Sequence, residues 1–265
     1  MVHPFFSPSP RAFAHRGDSR HFPENTLPAF HSASEMGADC IETDVHLTSD
    51  GQIVMCHDEA LTQEQNCRKI IASHTLKELR DMDAGYHFTP DNGNTFPFRD
   101  SGIKISTLDE TLEALPGMKF NVDLKPKSPE LVRRFAACLQ RHRALDRVLC
   151  ASFHDSNLRI FRELVPDGVT SCGRYEAAGI ILRAHTGTLF LKSSMPAMAL
   201  QVPPSFGILP VIESPLLRRY HHAGLYVHVW TVNNREQMEE LFDRGVDGIM
   251  TDRLDVLLEV VAQRE

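Results

Sequence analysis

No run of about 18 apolar residues occurs in the 265-residue sequence, which excludes the ordinary helical membrane span. The opening Met1-Val2-His3-Pro4-Phe5-Phe6 has neither the basic nor the apolar region of a secretory signal, so the expected address is the cytoplasm. Also missing is any CxxC pair: Cys40, Cys56, Cys67, Cys138, Cys150 and Cys172 stand singly. That spacing fits neither a zinc ribbon nor a small disulfide scaffold, and the six are expected to be reduced, mostly buried, apolar fillers. Basic charge is in deficit, with 28 Lys and Arg against 35 Asp and Glu and a formal net charge of −7. This argues against a general nucleic-acid binder, whose affinity depends on neutralising phosphates. It leaves room for a phosphate-bearing ligand, because a bound divalent cation reverses the local field of an acidic pocket. There is no internal repeat, low-complexity tract or interdomain linker.

What is present is an alternation of short apolar runs with amphipathic stretches, the pattern of parallel βαβ units. The expected strands are Ala12–His15, Cys40–Leu47, Lys119–Lys125, Arg147–Phe153, Val169–Gly173, Ala199–Val202, Tyr226–Val232 and Gly248–Thr251. A helix is expected from Thr26 to Met36, with Pro28 in its first turn and Gly37 at its end. A second, from Thr107 to Leu115, opens with the capping box Thr107/Glu110, and a third runs from Asn233 to Arg244 ahead of Gly245. The expected fold class is α/β, a single (β/α)8 barrel over residues 1–265. The connection between its second and third strands is far longer than the usual few residues and contains Gly85, Pro90, Asp91, Asn92, Gly93, Asn94 and Pro97. Residues 57–106, approximately, are read as an inserted cap beside the functional site.

Strand parity separates Ile41, Thr43 and Val45 from Glu42 and Asp44, and Phe120, Val122 and Leu124 from Asn121, Asp123 and Lys125. Apolar sets should face the helices and polar sets the barrel mouth, where barrel enzymes place their chemistry. Glu42 and Asp44 are hard oxygen donors suited to Mg²⁺ or Ca²⁺, although alternating charge on a solvated strand has the same pattern. Asp50-Gly51 signals a hairpin, and a two-residue loop there would set Asp44 opposite His57. His15-Arg16-Gly17 ends the first strand and adds an imidazole and a guanidinium able to grip phosphate oxygens. A lone histidine is more often a structural hydrogen-bonder than a catalyst; two of them with three carboxylates and two cations at successive strand ends argue otherwise. Asn25 and Thr26 are read as helix-start groups, Asp252 as a structural strand-end residue, and His221 and His222 as a solvated helix face. Trp230 shares parity with Tyr226 and His228, so core packing could also account for it.

The strings Ala14-His15-Arg16-Gly17, Pro23-Glu24-Asn25-Thr26, Ile41-Glu42-Thr43-Asp44-Val45, Asp50-Gly51 and His57-Asp58 together resemble the N-terminal signature of glycerophosphodiester phosphodiesterases. Asn121-Val122-Asp123-Leu124-Lys125, Val229-Trp230-Thr231-Val232-Asn233 and Gly245-Val246-Asp247-Gly248-Ile249-Met250-Thr251-Asp252 extend the resemblance over nearly the whole chain. The resemblance implies a barrel that cleaves glycerophosphodiesters into an alcohol and sn-glycerol 3-phosphate. It also implies His15 and His57 as acid and base, and Glu42, Asp44 and Asp123 as ligands of one divalent cation, Mg²⁺ or Ca²⁺. Arg16 and Lys125 would hold the phosphate, and Trp230 would wall the substrate pocket. Two departures stand out: Asp123 replaces the glutamate of many members, and Glu59-Ala60-Leu61-Thr62-Gln63-Glu64 lacks the Arg-Thr-Thr common after the second histidine. A small-molecule substrate is expected, with no nucleic-acid partner and no integral membrane segment.

Three alternatives share these residues. A zinc-dependent barrel hydrolase would open with His-x-His on the first strand, where this chain has His15-Arg16. A non-catalytic barrel binding glycerophosphate ligands is favoured only by Asp123. A lysophospholipase D on the same fold would act on longer lipids, with the inserted segment deciding acyl-chain contacts.

Overall fold

Strand propensity and parity resolve into ten strands and nine α-helices in a computed structural model that describes residues 2–64, 67–189, 198–205 and 210–264. The strands are β1 (Ala12–His15), β2 (Cys40–Leu47), β3 (Ile53–Met55), β4 (Ala60–Glu64), β5 (Cys67–Ile70), β6 (Lys119–Leu124), β7 (Val148–Ala151), β8 (Ala199–Val202), β9 (Tyr226–Val229) and β10 (Gly248–Thr251). The helices are α1 (Leu27–Met36), α2 (Leu76–Leu79), α3 (Leu108–Ala114), α4 (Pro129–Arg141), α5 (Asp155–Leu164), α6 (Arg174–His185), α7 (Ser214–His222), α8 (Arg235–Arg244) and α9 (Leu254–Ala262). Seven strands lie side by side, all parallel, in the order β7-β6-β2-β1-β10-β9-β8. The expected strand at Val169–Gly173 contracts to two single pairings, Cys150 with Thr170 and Ser171 with Ala199. Those two links join β7 to β8, so the curled sheet closes as an α/β barrel. The stave is short because Pro166, Asp167 and Gly168 lead into it and Gly173 already caps α6.

The inward and outward faces follow parity. Ala12, Ala14, Ile41, Val45, Phe120, Val122 and Leu124 join the large core between sheet and helices. Phe13, Cys40, Leu149, Ala151, Ala199 and Met250 fill the barrel interior together with Phe5 and Phe6. The N-terminal 3-10 turn Pro4–Phe6 supplies the last two rings, and Phe6 stacks on Tyr226 at 3.9 Å between centroids. Each phenylalanine so buried contributes roughly 1.5–3 kcal/mol. Higher in the same inward column come His15 above Phe13, and Glu42 and Asp44 above Cys40.

The hairpin after β2 departs from expectation. Val45 pairs with Met55 and Leu47 with Ile53, and the Cys56 amide donates to the Asp44 carbonyl at 2.9 Å, so Cys56, not His57, lies opposite Asp44. Thr48 N–H donates to the Gln52 carbonyl at 2.9 Å, closing a loop of Ser49, Asp50 and Gly51, with Gly51 at φ +80°. A third loop residue in the left-handed region, where glycine is unstrained, shifts the register by one. His57 falls just past the end of the pairing.

The segment after this hairpin is ordered by a small core of its own, Val54, Ile71, Leu79 and Ile105. It carries the ribbon β4-β5 and returns to the barrel where Thr107 pairs with Val54. Helix ends follow the sequence: α1 stops at Gly37, α8 at Gly245, and Thr107 and Glu110 form the reciprocal capping box of α3. Five described cysteines are free; Cys40, Cys138, Cys150 and Cys172 are buried and Cys56 half-buried, while the Cys67 side chain lies outside the described residues. His221 Nε2 sits 2.8 Å from Asp247 Oδ2 on the surface, in keeping with its reading as a solvated group. No described helix is long and apolar enough to cross a membrane.

Candidate active site

The C-terminal ends of β1, β2 and β6 converge on a cavity of about 250 Å³. His15, Arg16, Glu42, Asp44, His57, Asp123, Lys125 and Trp230 all line it, so the eight residues expected to act in catalysis, cation binding or substrate binding meet there. Asn121, Ala151, Ser152, Phe153, Cys172 and Gln201 complete much of its wall.

The tight exit from β1 sets the first group. Arg16 has φ +58° and Gly17 φ +82°, and a Cβ on Gly17 would lie 2.8 Å from the Ala29 backbone. This turn lets the Arg16 amide donate to the Glu42 carbonyl at 2.9 Å and sends its guanidinium back across the mouth. Arg16 Nη1 donates to both Glu24 carboxylate oxygens at 2.9 Å, and Nε stands 3.4 Å from Asp44 Oδ2. Lys125 Nζ lies between Asp44 Oδ1 at 2.7 Å and Asp123 Oδ2 at 2.9 Å.

Each imidazole is held at Nδ1 by a carboxylate. His15 Nδ1 lies 2.6 Å from Asp252 Oδ1, and His57 Nδ1 lies 2.8 Å from Asp58 Oδ1. His15 Nε2 is then left 3.9 Å from Glu42 Oε2. Burial pulls the His15 pKa down, but the Asp252 hydrogen bond and the Glu42 charge outweigh it and leave it raised. Burial and the neighbouring Asp44 charge push Glu42 up to about 8. Asp123 is raised too, through burial that the Lys125 ammonium only partly offsets. Lys125 itself is held well above the usual lysine range, because Asp123 and Asp44 overcome its desolvation.

Some contributors were not legible as such in the sequence. Asn25 is more than a helix-start residue: at φ +56°, it accepts from Thr43 Oγ1 at 2.7 Å and from the Asp44 amide at 3.3 Å, and donates to Asp44 Oδ2 at 3.2 Å. It fixes the carboxylate from behind. Asp252 follows β10, and only the pairing of β10 with β1 brings it beside His15. Gln201 donates to Asn121 Oδ1 at 2.9 Å and lies 3.3 Å from Nδ1 of the fully buried His228. No pattern in the surrounding apolar strand marks that glutamine. His228 is pushed down to about 3 by burial, so it stays neutral beneath the cavity. Phe153 and Trp230 pack edge to face at 5.9 Å and wall the opposite side.

The carboxylates suit a hard cation. Asp123 Oδ1 is buried and has no hydrogen-bond partner, and Glu42 and Asp44 approach from the neighbouring strand. The donor oxygens of the three do not all fall within 4.8 Å of one another; among the described residues the trio that does is Asp109, Cys138 and His142, away from this cavity. Lys125 spans Asp44 and Asp123. Three oxygen donors, one of them an orphaned buried atom, fit Mg²⁺ or Ca²⁺ in chemistry.

Residues 15–256 match the model of the glycerophosphoryl diester phosphodiesterase family. A glycerophosphodiester phosphodiesterase of Caldanaerobacter subterraneus subsp. tengcongensis is 34% identical, covering 94% of this chain and 96% of that protein. One from Bacillus altitudinis is 30% identical over 91% of this chain and 94% of its own. Among solved structures, an Oleispira antarctica phosphodiesterase in complex with the product sn-glycerol-3-phosphate has a TM-score of 0.78 at 25% identity, covering 97% of this chain and 98% of that one. With the barrel, its polar mouth and these relatives in agreement, the chain belongs to the glycerophosphoryl diester phosphodiesterase family and is a phosphoric diester hydrolase.

Proposed function

We propose that the protein hydrolyses glycerophosphodiesters to an alcohol and sn-glycerol 3-phosphate, with His15 and His57 as the acid-base pair. The observation that carries this reading is the placement of both imidazoles on one cavity with two cations, each ring braced at Nδ1 by a carboxylate. Bracing at Nδ1 directs the exchangeable chemistry to Nε2, as a positioned carboxylate does for histidine elsewhere.

Arg16 and Lys125 place preorganised positive charge where the phosphoryl oxygens gain negative charge. One imidazole takes the proton of the nucleophile, either water or the glycerol 2-hydroxyl of the substrate, the latter giving a cyclic phosphate that water then opens to sn-glycerol 3-phosphate. The other gives a proton to the departing alkoxide, each contributing about 10²–10⁴-fold. Glu42, Asp44 and Asp123 would hold one divalent cation, Mg²⁺ or Ca²⁺, whose chemistry when bound is Lewis-acid polarisation of a phosphate oxygen. Trp230 and Phe153 form the apolar wall against which the substrate carbons rest.

The inserted segment acts in this reading as the cap. Beyond His57 a second cavity of about 360 Å³ is lined by Pro23, Met55, Ala60, Leu61, Phe88 and Ile105, largely from that segment. It meets the first cavity at His57 and would receive the part of the substrate beyond the phosphate.

Release of sn-glycerol 3-phosphate from a panel of diesters differing in head group, with and without chelator, tests reaction and cation together. Activity lost to chelator and restored by Mg²⁺ or Ca²⁺ is expected. No release from any diester with either cation overturns the proposed reaction; turnover that survives exhaustive chelation removes the cation from it.

A further inference from the structure

Cys138 and His142 stand four residues apart at the end of α4, and so on one face of that helix. Asp109, in the first turn of α3, comes up against that face, and one donor atom from each residue lies within 4.8 Å of the other two. His142 Nε2 is already 2.6 Å from Asp109 Oδ1. We propose that Asp109, Cys138 and His142 form a second metal site, separate from the active site, that takes one Zn²⁺-class ion and clips the start of α3 to the end of α4.

The donor set selects the ion. One sulfur, one imidazole nitrogen and one carboxylate oxygen make a borderline-soft, three-ligand site, which favours Zn²⁺ over Mg²⁺ or Ca²⁺ and leaves a fourth position for water. Bonds of about 2.0–2.3 Å to a tetrahedral ion separate neighbouring ligand atoms by about 3.3–3.8 Å. Donors held within 4.8 Å need only a short movement to reach that spacing. His142 Nε2 and Asp109 Oδ1 exchange their hydrogen bond for the ion.

Two groups oppose binding. Arg141 donates to the same Asp109 oxygen and must swing away, which its half-exposed side chain permits. The Cys138 thiol is pushed up to about 12 by burial and by the Asp109 carboxylate, with Glu113 adding to the effect and Arg141 partly offsetting it. Binding therefore breaks the Cys138 S–H bond, forms a sulfur–metal bond and releases that proton to solvent, with no change of oxidation state. Affinity falls as pH falls.

The test is a titration of the chelator-treated protein with Co²⁺ and with Zn²⁺ while Mg²⁺ is held in excess. Co²⁺ is expected to give a near-ultraviolet thiolate charge-transfer band. Cys138→Ser abolishes the band, and His142→Gln weakens Zn²⁺ binding by more than about 10²-fold. Arg141→Gln tightens it severalfold, because a competitor for Asp109 is gone. All three variants keep the original phosphodiesterase rate, and the band and the Zn²⁺ affinity are read without turnover, so the outcome does not depend on the catalytic reading. Absence of the band from wild-type protein overturns the proposal. So does a band that persists in Cys138→Ser, or one lost in Cys56→Ser, since Cys56 neighbours His57 and would place the ion at the active site. His142→Gln guards against Cys138→Ser failing to fold, and an unchanged Zn²⁺ affinity in it also overturns the proposal.

Discussion

Asp252 Oδ1 lies 2.6 Å from His15 Nδ1, although 237 residues separate the two in sequence, because β10 pairs directly with β1. Asp252 is itself held in place by Asn233 Nδ2 at 2.8 Å. Burial raises the Asp252 pKa, but the bonds from His15 and Asn233 more than cancel that and leave it below the usual carboxylate value. Its negative charge is thus present whenever His15 titrates. Asp252→Asn is expected to lower kcat at least about tenfold while leaving KM near its original value. Because Asp252 holds the His15 pKa up, the His15 limb of the pH–rate profile should move to lower pH in the variant. An unmoved profile would show that the pair is only structural.

Replacing either imidazole should be more severe. His15→Ala and His57→Ala are each expected to cost at least about 10²-fold in kcat. Single-turnover rates measured with saturating substrate check this, and near-original turnover in either variant removes that ring from the chemistry.

Glu42 gives the chelator-treated protein a distinctive pH dependence. Burial and the Asp44 charge raise its pKa from 4.5 to about 8 on folding, so the folded state binds a proton that the unfolded state has released. The stability conferred by that proton is fully present below the unfolded value and disappears as pH rises through about 8. Tm should therefore decline between about pH 4.5 and 8 more steeply in the original protein than in Glu42→Gln, which has no proton to lose. Equal slopes for the two proteins would contradict a Glu42 carboxyl kept protonated by burial beside the Asp44 charge.

Asn25→Ala probes the carboxylate cluster from behind. With its amide gone, Asp44 loses the hydrogen bond to Oδ2 and the acceptor of its backbone N–H, and divalent cation affinity should weaken by about 10–100-fold. The cation concentration giving half-maximal activity reads the effect; no change would mean that Asn25 does not position Asp44 as a ligand.

Gly17→Ala tests the turn that aims Arg16. Positive φ and the close Ala29 backbone together make even a methyl group costly, by at least about 1–3 kcal/mol. Denaturant unfolding should show that loss, and a variant of unchanged stability would mean the turn readily adopts another path.

Local rules made much of this molecule readable. Side-chain alternation placed Glu42, Asp44 and Asp123 on the inner face, and the capping box of α3 and the glycine stops of α1 and α8 emerged where those residues stand. The register of the hairpin did not emerge, because a loop of two residues and a loop of three share the signal Asp50-Gly51 and differ only in where the chain closes. The same limit hid Asn25, whose left-handed backbone turns its side chain under Asp44 instead of capping the helix ahead of it.

Residue order alone was enough to specify period, polarity and chemistry: parallel staves, a polar mouth, two imidazoles, three carboxylates and two cations. Strand pairing and helix packing were needed to make neighbours of His15 and Asp252, of Gln201, Asn121 and His228, and of Asp109 and Cys138. The reason is that periodicity is a property of adjacent residues along one chain segment. Contacts between distant segments depend on strand order and register, which are settled only when all the elements pack around one core.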